Sequence, residues 1–186
     1  MKKFHIICVL FIAFLLSACG GESDTDLTPT IEAETVQGEF FANLFENCGE
    51  TFSGQAAGVQ EPGEDLSGET LIATFQTCTE EEVQIALAAN GNALRTWIVS
   101  RSDDGLQLNL RSDNAGDPTM APTGFGGAVT DIGSAMSQSF AANDSTEEAM
   151  NTMDAGIWTL ELENNQFSYA LEQDGETTIS GTLSKD

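Results

Sequence analysis

Apolar residues in this chain recur at every second position, in short runs that end on tight-turn residues. That rhythm belongs to strands buried on one face, and it limits the fold more than any other feature. The clearest run is Leu106, Leu108 and Leu110, alternating with Gln107, Asn109 and Arg111. The same period appears at Phe52, Gly54 and Ala56, at Leu71, Ala73 and Phe75, at Val83, Ile85 and Leu87, and through Leu94 to Arg101. Near the C-terminus it returns at Trp158, Leu160 and Leu162, at Phe167, Tyr169 and Leu171, and at Thr177, Ile179, Gly181 and Leu183. A further strand is expected around 134–140, with Met136, Gln138 and Phe140 on one face. Asn90-Gly91, Asp103-Asp104-Gly105, Asn164-Asn165 and Asp174-Gly175 supply hairpin turns between the runs. About nine antiparallel strands result, each with an apolar face that must be covered and none able to leave an edge open.

Because the turns join sequence neighbours, an up-and-down barrel is favoured, with a β-sandwich as the alternative. The expected class is therefore all-β, a small antiparallel barrel of lipocalin-like kind. A short amphipathic helix precedes it over 36–47, where Phe40, Phe41, Leu44 and Phe45 share a face and Gly49 suits the helix end. Residues 112–127 read as loop, and Ser145-Thr146-Glu147-Glu148 reads as a capping box opening a helix to about Met153. One domain over 36–186 is expected, preceded by an acidic flexible tether over 19–35 that has no apolar period and cannot bury enough surface to order itself.

The N-terminus carries an address. Lys2 and Lys3 precede a mostly apolar run from Phe4 to Leu16, too short to span a bilayer. It ends in Leu16-Ser17-Ala18-Cys19, which resembles the lipobox of bacterial lipoproteins. The resemblance implies a signal peptide over 1–18, cleavage before Cys19, and lipidation of the Cys19 thiol and new amino terminus. Gly20, where an Asp would favour inner-membrane retention, makes the outer membrane the expected destination. Several acyl chains on one residue give a stable anchor where a single chain is marginal.

Cleavage would remove 18 of 186 residues and leave 168. It takes Lys2, Lys3 and the only histidine, His5, and moves the formal net charge from −24 to −26. Arg95, Arg101, Arg111 and Lys185 remain against thirty acids. Such a charge excludes nucleic acid and anionic lipid surfaces as partners of the domain. Without a mature histidine there is no Ser-His-Asp triad and no histidine-based zinc site. Cys48 and Cys78 form an even pair in an oxidising compartment, so a disulfide is the default. A metal pair or catalytic thiol, the alternatives, would lack a histidine as co-ligand or base.

Short motifs spread over 40–183 resemble, in order, a family of uncharacterised bacterial exported proteins. They are Phe40-Phe41 with Leu44, Cys48-Gly49 with Phe52 and Gly54, Cys78, Arg95-Thr96-Trp97, Asp104-Gly105-Leu106, Gly126-Gly127, Gln138 to Phe140, Trp158-Thr159-Leu160-Glu161 and Phe167-Ser168-Tyr169-Ala170-Leu171. The family carries histidines and an acid-glycine pair after the position of Leu106. This chain has Leu108-Asn109-Leu110-Arg111-Ser112-Asp113 there. A histidine-based site, if the family has one, is lost here, and the resemblance implies no activity.

The most unusual local chemistry is cationic. Arg95, Trp97 and Arg101 share one face of a strand, and Arg111 is expected beside them on the next. As a functional site they would form a carboxylate or phosphate anchor beside an aromatic wall at a barrel mouth; as structure, Arg95 would tie down loops and Trp97 would fill core. Asp103-Asp104-Gly105 and Asp113-Asn114-Ala115-Gly116-Asp117 could hold calcium, but each also has ordinary turn chemistry and neither fits an EF-hand loop. No cofactor is implied. The leading expectation is a lipid-anchored, non-enzymatic envelope module that binds a small ligand or supports the envelope. The rivals are a carboxylate-based hydrolase or isomerase and a scaffold docking on another envelope protein. An apolar interior open at one end would favour binding, a filled one the scaffold, and two carboxyls converging with Arg95 the enzyme.

Overall fold

Ten strands follow the helix, and they close on themselves. The structure, a computed structural model, describes residues 36–56, 66–112, 125–142 and 156–186. The signal peptide, Cys19, the tether, the acidic run at 113–117 and the helix expected from Ser145 lie outside those residues. The elements are α1 (Val36–Glu46), β1 (Thr51–Gln55), β2 (Thr70–Cys78), β3 (Glu82–Ala89), β4 (Asn92–Ser102), β5 (Gly105–Ser112), β6 (Phe125–Val129), β7 (Ser137–Ala142), β8 (Ile157–Glu163), β9 (Gln166–Gln173) and β10 (Glu176–Lys185). Each strand pairs antiparallel with its sequence neighbours, and β1 closes the ring against β10 through Phe52–Lys185 and Ser53–Ser184. This is the up-and-down barrel expected from the hairpin turns, with two more strands than the eight of lipocalins. The sandwich alternative is set aside by the closure.

The extra strand is β6, in a stretch read from the sequence as loop. Gly126 and Gly127 carry no side chain, so no alternation is visible there. Yet β6 pairs with β5 from Gln107–Ala128 to Leu110–Phe125, and with β7 from Gly127–Ala142 to Val129–Phe140. The strand expected from residue 134 begins at Ser137. Ser134 turns the chain first, its Oγ accepting from the backbone N–H groups of Met136 and Ser137. Met136 therefore precedes the strand and is exposed, while Gln138 and Phe140 point inward.

Inward positions carry the core. Phe52, Phe75, Phe167, Trp97, Tyr169 and Trp158 form a continuous aromatic column, with ring centroids from 4.7 Å (Trp97–Tyr169) to 6.3 Å (Phe52–Phe167) apart. Edge-on and tilted contacts of this kind add about 0.5–1.5 kcal/mol each beyond burial. Gly181 makes room for Tyr169, because a Cβ at Gly181 would lie 2.6 Å from the tyrosine ring.

α1 lies over the end of the barrel where β2 finishes and β3 starts. Phe40, Phe41 and Leu44 are fully buried there. Four connections fasten the helix. Gln37 Oε1 accepts from the Leu106 N–H at 3.4 Å, and Asn43 Nδ2 donates to the Ala135 carbonyl at 2.7 Å. Lys185 Nζ donates to Asn47 Oδ1 at 3.1 Å and pairs with Glu50 at 3.4 Å. The Cys48–Cys78 disulfide, the expected default, joins the chain just past the helix to the end of β2. Gly49, at φ +85°, provides the left-handed turn that leads from helix to barrel.

Candidate functional site

A bulge in β4 lies just before the central residue of the site. Ala93 pairs with Ala88 and Arg95 with Leu87, which leaves Leu94 as the extra residue. Arg95 follows the bulge, keeps the inward parity of Trp97 and Val99, and so points into the barrel, 5% exposed. Its guanidinium carbon stands 5.1 Å from the centre of the Trp158 ring, a cation–π distance. Trp158 meets Trp97 edge-on at 5.9 Å, and Trp97 meets Tyr169 at 4.7 Å. Arg95 makes a further interaction besides this stacking.

The cluster is rich in donors. The indole nitrogens of Trp97 and Trp158 are buried and have no hydrogen-bond partner. Burial pushes the Tyr169 phenol up to about 12, with the Arg95 guanidinium pulling the other way, so the hydroxyl stays protonated at any ordinary pH. Beyond this group, towards the rim opposite α1, the inward positions of β1, β3 and β7 end in alanines at 56, 89 and 142.

The three arginines named from the sequence are not one group. Arg95 and Trp97 come together as expected. Arg101 shares their face of β4 but lies six residues on, roughly 20 Å along an extended strand. It sits at the α1 end, 5.3 Å from the Phe41 ring, and lines an open cleft of about 420 Å³ with Gln37, Glu81 and Asp103. Arg111 pairs with Thr96, between the inward positions 95 and 97, so it stands on the outer wall. There its Nη2 donates to the Thr96 hydroxyl at 3.3 Å. Alternate residues of β5 face opposite ways, and Leu110 takes the inward place.

Trp158 and Tyr169 were missed as site residues. Each shows in the sequence as a member of an alternating run, but nothing local says that β8 and β9 face β4 across the barrel. Asp103 and Asp104 form the β4–β5 turn, with Gly105 at φ +106° and the Asp104 N–H donating to Ser102 Oγ at 3.3 Å. That is hairpin chemistry. No family model matches this chain, and no curated protein or solved structure matches it either, so the barrel itself has to carry the functional reading.

Proposed function

We propose that the protein is a non-enzymatic, lipid-anchored module of the cell envelope, held at the outer membrane through Cys19. Its barrel receives a small ligand from the end opposite α1. One observation carries the binding part. The α1 end is stoppered by aromatic side chains, whereas the other half holds a buried guanidinium on a tryptophan face with two indole donors beside it. Pockets that fix small molecules combine an apolar wall with a few inward polar groups, and this half of the barrel has both. The lipobox motif supports the anchor.

Native mass spectrometry of the delipidated domain tests the binding reading. A co-purifying small molecule that is lost in the Arg95→Met variant is expected; a bare mass under gentle conditions and no uptake of added ligands would refute it. For the anchor, Cys19→Ala should release the protein from membranes, and retention of that variant would sink the lipoprotein assignment. The scaffold reading has one observation in its favour, the aromatic filling of the α1 half. Co-purification of a stoichiometric envelope protein with a ligand-free barrel would select it.

A further inference from the structure

A second recess lies at the α1 end, and what it implies does not depend on the ligand-binding reading above. Three segments converge there: the start of α1 with Gln37, the β2–β3 turn with Glu81, and the β4–β5 turn with Asp103. Arg101 lies among them. The open cleft they form measures about 420 Å³, within the roughly 300–1,000 Å³ of small-molecule sites.

Local hydrogen bonds fix each wall. The Arg101 backbone N–H donates to the Glu81 carbonyl at 2.9 Å, and Thr79 Oγ1 accepts from the N–H groups of Glu81 and Glu82 at 3.3 and 3.0 Å. Ser102 Oγ donates to the Gly105 carbonyl at 3.4 Å and accepts from the Asp104 N–H, closing the turn that carries Asp103. Gln37 meets the Leu106 N–H with its side-chain oxygen, so its amide nitrogen remains a donor to the cleft.

Arg101 is held in another way. Its guanidinium carbon stands 5.3 Å from the centre of the Phe41 ring, which is fully buried. One face of the guanidinium is thereby occupied, while its N–H donors lie around the edge. Among the described residues those donors have no hydrogen-bond or ion-pair partner, although Glu81 and Asp103 line the same cleft. A planar fork with one face fixed is pre-organised to take a carboxylate in two parallel bonds.

The other charges select the rest of the ligand. A molecule that is only anionic would face Glu81 and Asp103, and one that is only cationic would leave Arg101 unmatched. A sugar would find no open aromatic face, because Phe41 is buried against Arg101. We propose that this cleft binds a free basic α-amino acid. Its carboxylate lies on Arg101 beside the Gln37 amide, and its α-ammonium and side-chain cation face Asp103 and Glu81. Those two carboxylates are exposed and screened by water, so Arg101 carries the larger share of the affinity.

The test is calorimetry at low salt on the full chain in detergent. Its probes are lysine and three analogues that each lack one group: lysinamide, Nα-acetyl-lysine and norleucine. Lysine should bind tightest. Lysinamide, and lysine with the Arg101→Met variant, should each bind about tenfold more weakly, as expected for loss of a charge-assisted pair. Nα-acetyl-lysine and norleucine should each lose about threefold, as should lysine with Glu81→Gln or Asp103→Asn. These two variants are isosteric and lie on exposed turns, so they carry the test if Arg101→Met fails to fold. No uptake of lysine, lysinamide or norleucine matching lysine, or unchanged lysine binding in both turn variants would overturn the proposal.

Discussion

The two ends of the barrel are built from similar residues and put to different uses. At the α1 end most of the inward polar groups have a counterpart, although Gln138 Oε1 is buried without one. Phe40, Phe41 and Leu44 cover the opening, and Arg101 lies against Phe41. Gln37, Asn43 and Asn47 each hydrogen-bond to the barrel side, and a disulfide crosses the junction. At the other end, an arginine and two tryptophans are equally buried, yet the indole donors are unmatched. Polar groups removed from water are nearly always hydrogen-bonded in a folded protein, so the exceptions mark where something else belongs. Both ends carry an arginine on an aromatic ring. The difference lies in the groups left over: a single amide oxygen, on Gln138, at the α1 end, and two indole donors at the other.

The contrast predicts that stability is concentrated at the stopper. Phe41→Ala should cost about 3–5 kcal/mol, because a fully buried ring leaves a cavity that a fastened helix cannot collapse into. A urea midpoint near that of the parent would show that α1 is an ornament on the barrel. Replacing Cys48 and Cys78 together by serine should cost about 3–4 kcal/mol, from the unfolded-state entropy released when a closure of 30 residues is opened. Proteolysis should then cut first at α1, whereas cleavage elsewhere would place the weak point in the barrel wall.

Tyr169 tests the middle of the column. Its folded value near 12 lies above the unfolded one near 10, so the folded state holds the proton more tightly. The stability from this group is fully present below pH 10, falls as pH rises through the window from 10 to 12, and amounts to about 2–3 kcal/mol. Ultraviolet titration reads it directly, since Tyr169 is the only tyrosine. A titration midpoint near 10 in the folded protein would mean that the column admits water. The smallest effect is expected at Arg111→Ala, on the outer wall. It should change stability by less than about 1 kcal/mol and leave the uptake of a co-purifying ligand as it was. A loss of binding there would put the site on the wrong side of the sheet.

Much of the barrel is legible in the sequence. Alternation at Leu106 to Leu110 and at Trp158 to Leu162, with Asn-Gly and Asp-Gly turns between neighbours, leaves few ways to bury one face of each strand. The helix over Val36–Glu46 and the Cys48–Cys78 pairing were legible for similarly local reasons, periodicity in one case and parity of cysteines in the other. β6 was hidden because glycine has no side chain to show a period. The shared face of Arg95, Trp97 and Arg101 was readable from spacing. What spacing does not convey is that Arg101 reaches the opposite end of the barrel, or that Arg111 falls on its outside.

By itself, then, the sequence determined the class of fold, the hairpin order and the excess of acid over base, since each depends on residues close together along the chain. Only the tertiary structure decided which residues form the site. Closing the ring brings Trp158 and Tyr169 against Trp97 and Arg95 across more than sixty residues of chain. Contacts across a barrel depend on register and closure, and neither is written in the period of any single strand.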